Sequence, residues 1–279
     1  MRIRFWGTRG SIPTPGSSTV RYGGNTACVE VRDATDRLLV LDAGTGLREL
    51  GTALQRDGEG PWDVDLLLSH LHWDHIQGIP FFRPMFNSAT RIRIWGPRQG
   101  RPIRDILGVG MDDAFFPVDL DGLPAAFEFT DLDAGAELVV GPYRVRTSRI
   151  EHPTPTLGYR IEADGVVLVY ATDTEDAFSG RPNPIVELAR GADVLIHDAQ
   201  YLPEDYKPGW GHSTVPAAIE VALRAGVRRL VLTHHDPDRD DEALDRIGAA
   251  AHALARDQDP KLEVLVAREG LQLQIAPRR

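Results

Sequence analysis

The chain has 279 residues, 42% hydrophobic and 26% charged, the composition of a globular protein with a sizeable core, which excludes a disordered or fibrous chain. No apolar run approaches about eighteen residues, so no transmembrane helix is expected. The formal net charge of -10 disfavours a long nucleic acid as partner but leaves room for a small phosphate ester held at a cation.

The opening Met1-Arg2-Ile3-Arg4-Phe5-Trp6-Gly7 reads as a strand and lacks the apolar stretch and cleavage site of a signal peptide, so a cytoplasmic location is expected. Strands are predicted over residues 2–8, 27–32 and 38–42, with a turn-rich stretch at 10–25. Cys28 is the one cysteine, which excludes an internal disulfide, and its apolar setting marks a buried, inert thiol. A helix follows at 45–55, then a continuous apolar strand at 63–70, the pattern of a strand covered on both faces. Residues 91–95 form another strand. Residues 96–121, rich in Gly, Pro, Arg and Asp, read as irregular, either a lid or a surface excursion. Further strands are expected at 127–130, 137–140, 144–150, 157–161 and 166–171, the last two joined in a hairpin at Ala163-Asp164-Gly165. Helices at 184–190, 215–225 and 242–256 then alternate with strands at 193–197, 229–234, 262–267 and 270–275. The alternation indicates a layered α/β protein in a single domain, residues 1–279.

Eight of the nine histidines fall at or just after predicted strand ends, where open α/β sheets place ligands; His252 sits in a plain helix pattern. His70-Leu71-His72-Trp73-Asp74-His75 gathers three imidazoles and a carboxylate behind an apolar strand, with Asp74 and His75 expected in the tight turn that opens the next segment. Core packing cannot account for them, because each would need its own buried partner, whereas a metal ion would use them together.

This segment resembles the HxHxDH motif of the metallo-β-lactamase fold superfamily, and the remaining family motifs follow in order. Asn25-Thr26 and Leu41-Asp42-Ala43-Gly44 resemble the early strand and its DAG turn. Ile150-Glu151-His152 resembles the third-motif histidine, Tyr170-Ala171-Thr172-Asp173-Thr174 the element whose aspartate bridges two metals, and Leu232-Thr233-His234 the last-motif histidine. The resemblance implies an αββα four-layer sandwich binding two divalent metal ions, zinc foremost, with manganese or iron also suited to these donors. It assigns His70, His72 and His152 to one metal, Asp74, His75 and His234 to the other, and Asp173 between them. It also places Asp74 among the catalytic residues. His234 is favoured over His235 as the last ligand, leaving His235 beside the site or facing substrate. Two such metals about 3.5–4 Å apart can share a hydroxide and neutralise a developing oxyanion.

Three features select a branch. Asp173 stands where zinc β-lactamases use a cysteine. Trp210-Gly211-His212-Ser213-Thr214 resembles the segment of ribonuclease Z and related phosphodiesterases in which a histidine meets the scissile phosphate, and Leu195-Ile196-His197-Asp198-Ala199 resembles the strand whose acidic residue orients it. His212 is thus a candidate general acid oriented by Asp198, while His197 reads as structural. Only one hairpin separates His152 from Asp173, which leaves no place for the tRNA-gripping arm of ribonuclease Z. The resemblance is therefore to the compact PhnP-type and anti-Pycsar-type phosphodiesterases, whose opening Phe5-Trp6-Gly7-Thr8-Arg9-Gly10-Ser11-Ile12-Pro13 it shares. It implies hydrolysis of a small cyclic phosphodiester, such as a cyclic nucleotide, through a hydroxide between the metals, in a homodimer without membrane or long nucleic-acid partners. A carboxylic ester, lactone or thioester hydrolase is the alternative, and a non-catalytic metal-binding protein the second. Arg9 is either a contact to an anionic substrate or a turn residue. Trp210, Phe81, Phe82, Phe115 and Phe116 either stack on a base or belong to the core.

Overall fold

The computed structural model describes residues 1–175 and 183–277. The chain enters on β1 (Arg2–Gly7) and runs through β2 (Cys28–Arg32) and β3 (Leu38–Leu41) as an antiparallel meander. Helix α1 (Gly46–Asp57) crosses to β4 (Asp63–Leu67), which pairs parallel with β3. A single helical turn, α2 (Trp73–Ile76), precedes β5 (Arg91–Pro97), α3 (Ile103–Gly110) and β6 (Ala126–Leu132), which extend the parallel half. The second sheet begins with the antiparallel β7 (Glu137–Val140), β8 (Tyr143–Ile150), β9 (Thr156–Ala163) and β10 (Val166–Ala171). It continues parallel through α4 (Pro184–Leu188), β11 (Val194–Asp198), α5 (Val215–Ala225), β12 (Arg229–Thr233), α6 (Asp241–Gln258) and β13 (Glu263–Val266). Finally β14 (Gln272–Gln274) returns to pair antiparallel with β1. Among the described residues the orders are β14-β1-β2-β3-β4-β5-β6 and β13-β12-β11-β10-β9-β8-β7.

Strand period two explains the layering, since successive side chains face opposite sides. Ile3, Phe5, Val29, Val31, Leu39 and Leu41 of the first sheet meet Tyr143, Val145, Tyr159, Leu168, Ile196 and Val231 of the second in a central core. The other face of the first sheet, through Val40, Leu66, Ile92 and Ile94, packs beneath Leu47 and Leu50 of α1 and Ile103 and Leu107 of α3. On the second sheet Leu195, Leu230 and Leu232 pack beneath Ile219 and Ala222 of α5 and Ala251 and Ala255 of α6. The result is the expected αββα sandwich. Each fully buried Leu or Ile contributes about 1.5–3 kcal/mol, against about 0–1 for an exposed ion pair such as Arg48–Glu49, so these apolar layers set the fold.

Helix ends carry ordinary local signals. Thr214 caps α5 by accepting from Ala217 N–H, and Gly226 ends it in the left-handed region at φ 65°. Two expectations need correcting. Residues 96–121 are not irregular throughout: α3 lies within them, entered from Pro102, with Ile103 N–H donating to Asp131 at 3.0 Å. Gly108 and Gly110 weaken its helical signal, but burial of Ile103 and Leu107 overrides that weakness. The turn expected at Asp74-His75 is the helical turn α2. No described helix is long and apolar enough to cross a membrane.

Candidate metal centre and active site

The topology delivers the chemistry to one edge. Ser69 to His75 follow the end of β4, Asp173 the end of β10, and His234 the end of β12, while Asp198 closes β11. Parallel strands pointing the same way thus pool their terminal loops. β8 adds His152 from the opposite half of its sheet.

Two donor groups result. The rings of His70, His72 and His152 lie 4.4 to 4.9 Å apart, and His152 Nε2 faces His72 Nδ1 at 3.2 Å. Asp74 Oδ2, His75 Nε2 and His234 Nε2 form a triangle with 3.3 Å on every side. Tetrahedral donors about 2.0–2.1 Å from one cation sit about 3.3–3.4 Å apart, so the triangle has the dimensions of a coordination face. Asp173 spans the groups. Its Oδ2 lies 3.1 Å from His75 Nε2 and 3.2 Å from His234 Nε2, and its Oδ1 lies 3.8 Å from His70 Nε2.

Four of the rings are fixed through Nδ1. His75 Nδ1 donates to Asp42 at 2.8 Å, His234 Nδ1 to the Gln200 carbonyl at 2.9 Å, His152 Nδ1 to Gly211 C=O at 3.0 Å, and His70 Nδ1 to Ser69 Oγ at 3.0 Å. His70, His152 and His234 can then turn an unprotonated nitrogen inward, the usual arrangement behind histidine ligands. At His75 burial disfavours the charged form, but the Asp173, Asp74 and Asp42 carboxylates outweigh it and hold the ring well above the usual histidine range, so a cation there would displace its Nε2 proton. His70 Nε2 is buried without a hydrogen-bond partner, and the Nε2 atoms of His75 and His234 face each other at 3.3 Å. A cation fits there: it would give His70 Nε2 the partner it lacks and would sit among the Asp74 and Asp173 oxygens that His75 and His234 Nε2 already face at 3.1 to 3.3 Å. Burial holds His70, His72 and His152 below the usual histidine range, favouring the neutral ligand form. Burial opposes ionisation of Asp74 and Asp173, but the surrounding imidazoles outweigh it and hold both below the usual carboxylate range. Divalent cations would offset the excess negative charge of Asp42, Asp74, Asp173 and Asp198.

The site is held under backbone strain. Ser11, Asp42, Asp173 and His234 all take positive φ between 55° and 65°. Asp42 is fully buried and accepts from Ser69 N–H at 2.7 Å, Tyr170 Oη at 2.7 Å and Ser69 Oγ at 2.9 Å, besides His75. The Ser11 amide donates to Asp74 Oδ2 at 2.7 Å. Gly10 sits so near His234 that a Cβ there would overlap the imidazole.

His212 adjoins this centre. Its Nδ1 donates to Asp198 Oδ2 at 2.9 Å, and its ring stacks on His234 with centroids 4.9 Å apart. Asp198 is itself fixed by the amides of Ser213 at 2.9 Å and Gln200 at 3.1 Å. Among the described residues Nε2 of His212 has no hydrogen-bond partner. Burial disfavours its charged form, but the Asp198 carboxylate outweighs burial and raises the ring to about 9. His212 is then a protonated donor at neutral pH.

The structure therefore brings together every residue singled out for the site: His70, His72, Asp74, His75, His152, Asp173, Asp198, His212 and His234. It separates others. His235 donates from Nε2 to Ala267 C=O at 2.8 Å and turns away, and burial pushes it down to about 4. Arg9 does not face substrate: it is fully buried, with Nε on Gly23 C=O at 2.8 Å and Nη1 on Arg239 C=O at 2.6 Å, and it ties the 10–25 loop to the segment after β12. Phe82 lies in the core under α1, whereas Phe81, Phe115 and Trp210 are exposed. Trp73, inside the histidine motif, is also exposed, at 58%. Asp42, Ser69 and Gln200 were not singled out as site groups. Asp42 alone carried a signal, a carboxylate ending a wholly apolar strand.

The fold and the paired donor groups define a metallo-β-lactamase-fold, metal-dependent hydrolase. A family model described as "Beta-lactamase superfamily domain" matches residues 37–235, and the chain belongs to that superfamily. An uncharacterised protein of Mycobacterium leprae is 32% identical over 91% of this chain and 86% of its own length. The ribonuclease Z of Gemmatimonas aurantiaca is 27% identical, covering 98% of this chain and 96% of its own. Among solved structures, a diphosphatase from the PhnP family superposes with a TM-score of 0.69 at 20% identity, covering 98% of this chain and 97% of that one, which is a likeness of fold.

Proposed function

We propose that this protein hydrolyses a small phosphodiester, in the first place a cyclic nucleotide or similar cyclic phosphate. In this reading two divalent cations, zinc or manganese, are held by His70, His72 and His152 on one side and Asp74, His75 and His234 on the other, with Asp173 between. Bound there, they would supply Lewis acidity toward the phosphoryl oxygens and lower the pKa of an attacking water.

The observation that carries the reading is His212 stacked beside His234 with Nδ1 fixed on Asp198. With that nitrogen committed, the proton available to a substrate sits on Nε2. A departing alkoxide needs such a proton, and a positioned donor contributes about 10²–10⁴-fold. Lactone and thioester cleavage place less demand on this group, so the pair favours a phosphorus ester. The Ser11 amide holds Asp74, and the close approach of the Gly10 backbone to the His234 ring leaves that imidazole little room to move, which keeps the reacting centre pre-organised. The likeness to ribonuclease Z supports a phosphodiester substrate. Its small size is supported by the single β9–β10 hairpin between His152 and Asp173 and by the acidic chain.

Hydrolysis of bis-p-nitrophenyl phosphate, set beside a lactone and a thioester with zinc or manganese supplied separately, tests the reading. Phosphodiester turnover is expected to vanish in Asp74→Ala. His212→Ala is expected to lower turnover of a cyclic nucleotide, whose leaving group is an alkoxide, at least about a hundredfold, and that of the p-nitrophenyl ester far less. Lactone or thioester cleavage without phosphodiester cleavage would move the protein to the other ester class.

A further inference from the structure

Glu175 follows the Thr172-Asp173-Thr174 motif by one residue and belongs to no donor group. Its carboxylate nevertheless accepts from three groups of the loop that precedes His212. Tyr206 Oη donates at 2.6 Å, Gly209 N–H reaches both oxygens at 2.8 Å, and Gly211 N–H donates at 3.0 Å. Gly209 and Gly211 both take φ 81°, a conformation that side-chain-bearing residues rarely adopt and that lets both amides converge on one anion. At Gly211 a Cβ would also overlap the His152 ring.

The carbonyl of the same glycine, in the next peptide unit, serves the metal-facing side: Gly211 C=O receives His152 Nδ1 at 3.0 Å. The next residue is His212. Two more bonds brace the arrangement: Glu175 N–H donates to Glu151 C=O at 2.7 Å, beside His152, and Ser213 Oγ donates to Thr174 C=O at 2.8 Å. One carboxylate thus fixes the loop from which a metal-facing histidine takes its orientation and a proton donor takes its place.

We propose that Glu175 is a positioning residue that sets the orientation of His152 through Gly211 and the reach of His212. The His212 half of this inference rests on the phosphodiester reading; the His152 half does not. Without the carboxylate, the Gly209 and Gly211 amides lose their shared acceptor, the Gly211 carbonyl swings, and His152 loses its fixed ring plane. The donor group of Asp74, His75 and His234 keeps its own supports in Ser11, Asp42 and Gln200.

The experiment compares full-length wild type, Glu175→Ala and Glu175→Gln by zinc titration against a competing chelator. Turnover of two phosphodiesters, one with a p-nitrophenolate and one with an alkoxide leaving group, is measured beside it. In Glu175→Ala one zinc step weakens about 10–100-fold, the other is unchanged, and the apoprotein melting temperature is held. The alkoxide substrate loses more kcat than the p-nitrophenyl ester, because only the former depends on the His212 proton. Glu175→Gln, which keeps an acceptor oxygen, falls between the two. Equal weakening of both zinc steps with a lower melting temperature would overturn the proposal, as would zinc steps and leaving-group dependence that match wild type. If wild type cleaves no phosphodiester, the phosphodiester reading fails by itself and the zinc titration alone decides the role of Glu175.

Discussion

Asp42→Asn separates a role in the metal centre from a role in folding. Asparagine tolerates the positive φ of 58° at this position, so the backbone is not an added perturbation. Its carbonyl can still receive Ser69 N–H, but an amide NH2 then stands where Oδ2 accepted from His75 Nδ1, Ser69 Oγ and Tyr170 Oη. Both hydroxyls can rotate and become acceptors. The imidazole cannot, unless it moves its proton from Nδ1 to Nε2, the atom 3.3 Å from both Asp74 Oδ2 and His234 Nε2. The wrong tautomer would then point a proton into the coordination face. Losing one charge-assisted hydrogen bond lowers stability by about 1.5–3 kcal/mol. Zinc affinity at the Asp74–His75–His234 group falls about 10–100-fold, or about 1.4–2.8 kcal/mol. Chelator competition reads the affinity, and urea unfolding of the apoprotein reads the stability. Zinc affinity within about twofold of wild type at both steps would refute the tautomer argument.

Gly10→Ala is expected to lower turnover more than tenfold through overlap with His234, with urea unfolding close to wild type; unchanged turnover would mean the loop simply shifts. Arg9→Leu strands the carbonyls of Gly23 and Arg239 in the interior and is expected to lower unfolding free energy by about 3 kcal/mol or more, without specific loss of substrate affinity. A raised KM at wild-type stability would instead restore Arg9 as a substrate contact. Removing metal with a chelator and restoring zinc at about a hundredfold over its dissociation constant should raise stability by about 2.7 kcal/mol per site, read as a melting-temperature shift. An unresponsive melting temperature would count against the donor groups. Trp210, 61% exposed with the Lys207 ammonium 5.0 Å from its ring, is expected on replacement by Ala to raise KM for a nucleotide substrate and leave bis-p-nitrophenyl phosphate less affected; equal effects on both would exclude base stacking.

What the sequence revealed follows the range over which each feature acts. Strand and helix patterns repeat every two or three to four residues, so the layers could be read locally, apart from α3, whose glycines hid it. The ligand-type residues were legible because a histidine or aspartate beyond an apolar strand has few other uses. The supports were not, because Ser69, Gln200 and Glu175 are ordinary residues until a partner far along the chain is brought beside them. Arg9 shows the reverse error. An arginine between Thr8 and Gly10 looks like a surface turn, yet carbonyls from two distant segments bury it. The strand-then-histidine pattern favoured His234 over its neighbour His235 as the last ligand. Register decides between them: the strand end turns the first toward the carboxylates and the second toward Ala267.

The partners across the donor groups are far apart in the chain. His72 and His152 are separated by 80 positions, His75 and His234 by 159. A growing polypeptide therefore cannot template its folding on an early-captured ion, as a zinc finger does with neighbouring ligands. On the proposed assignment the His70–His75 segment leaves the ribosome with at most half of each donor group, and the rest arrives after β8, β10 and β12. Tight metal retention becomes a late event that certifies the docking of both sheets, and a chain whose β12 has frayed should release its ions before its core has opened.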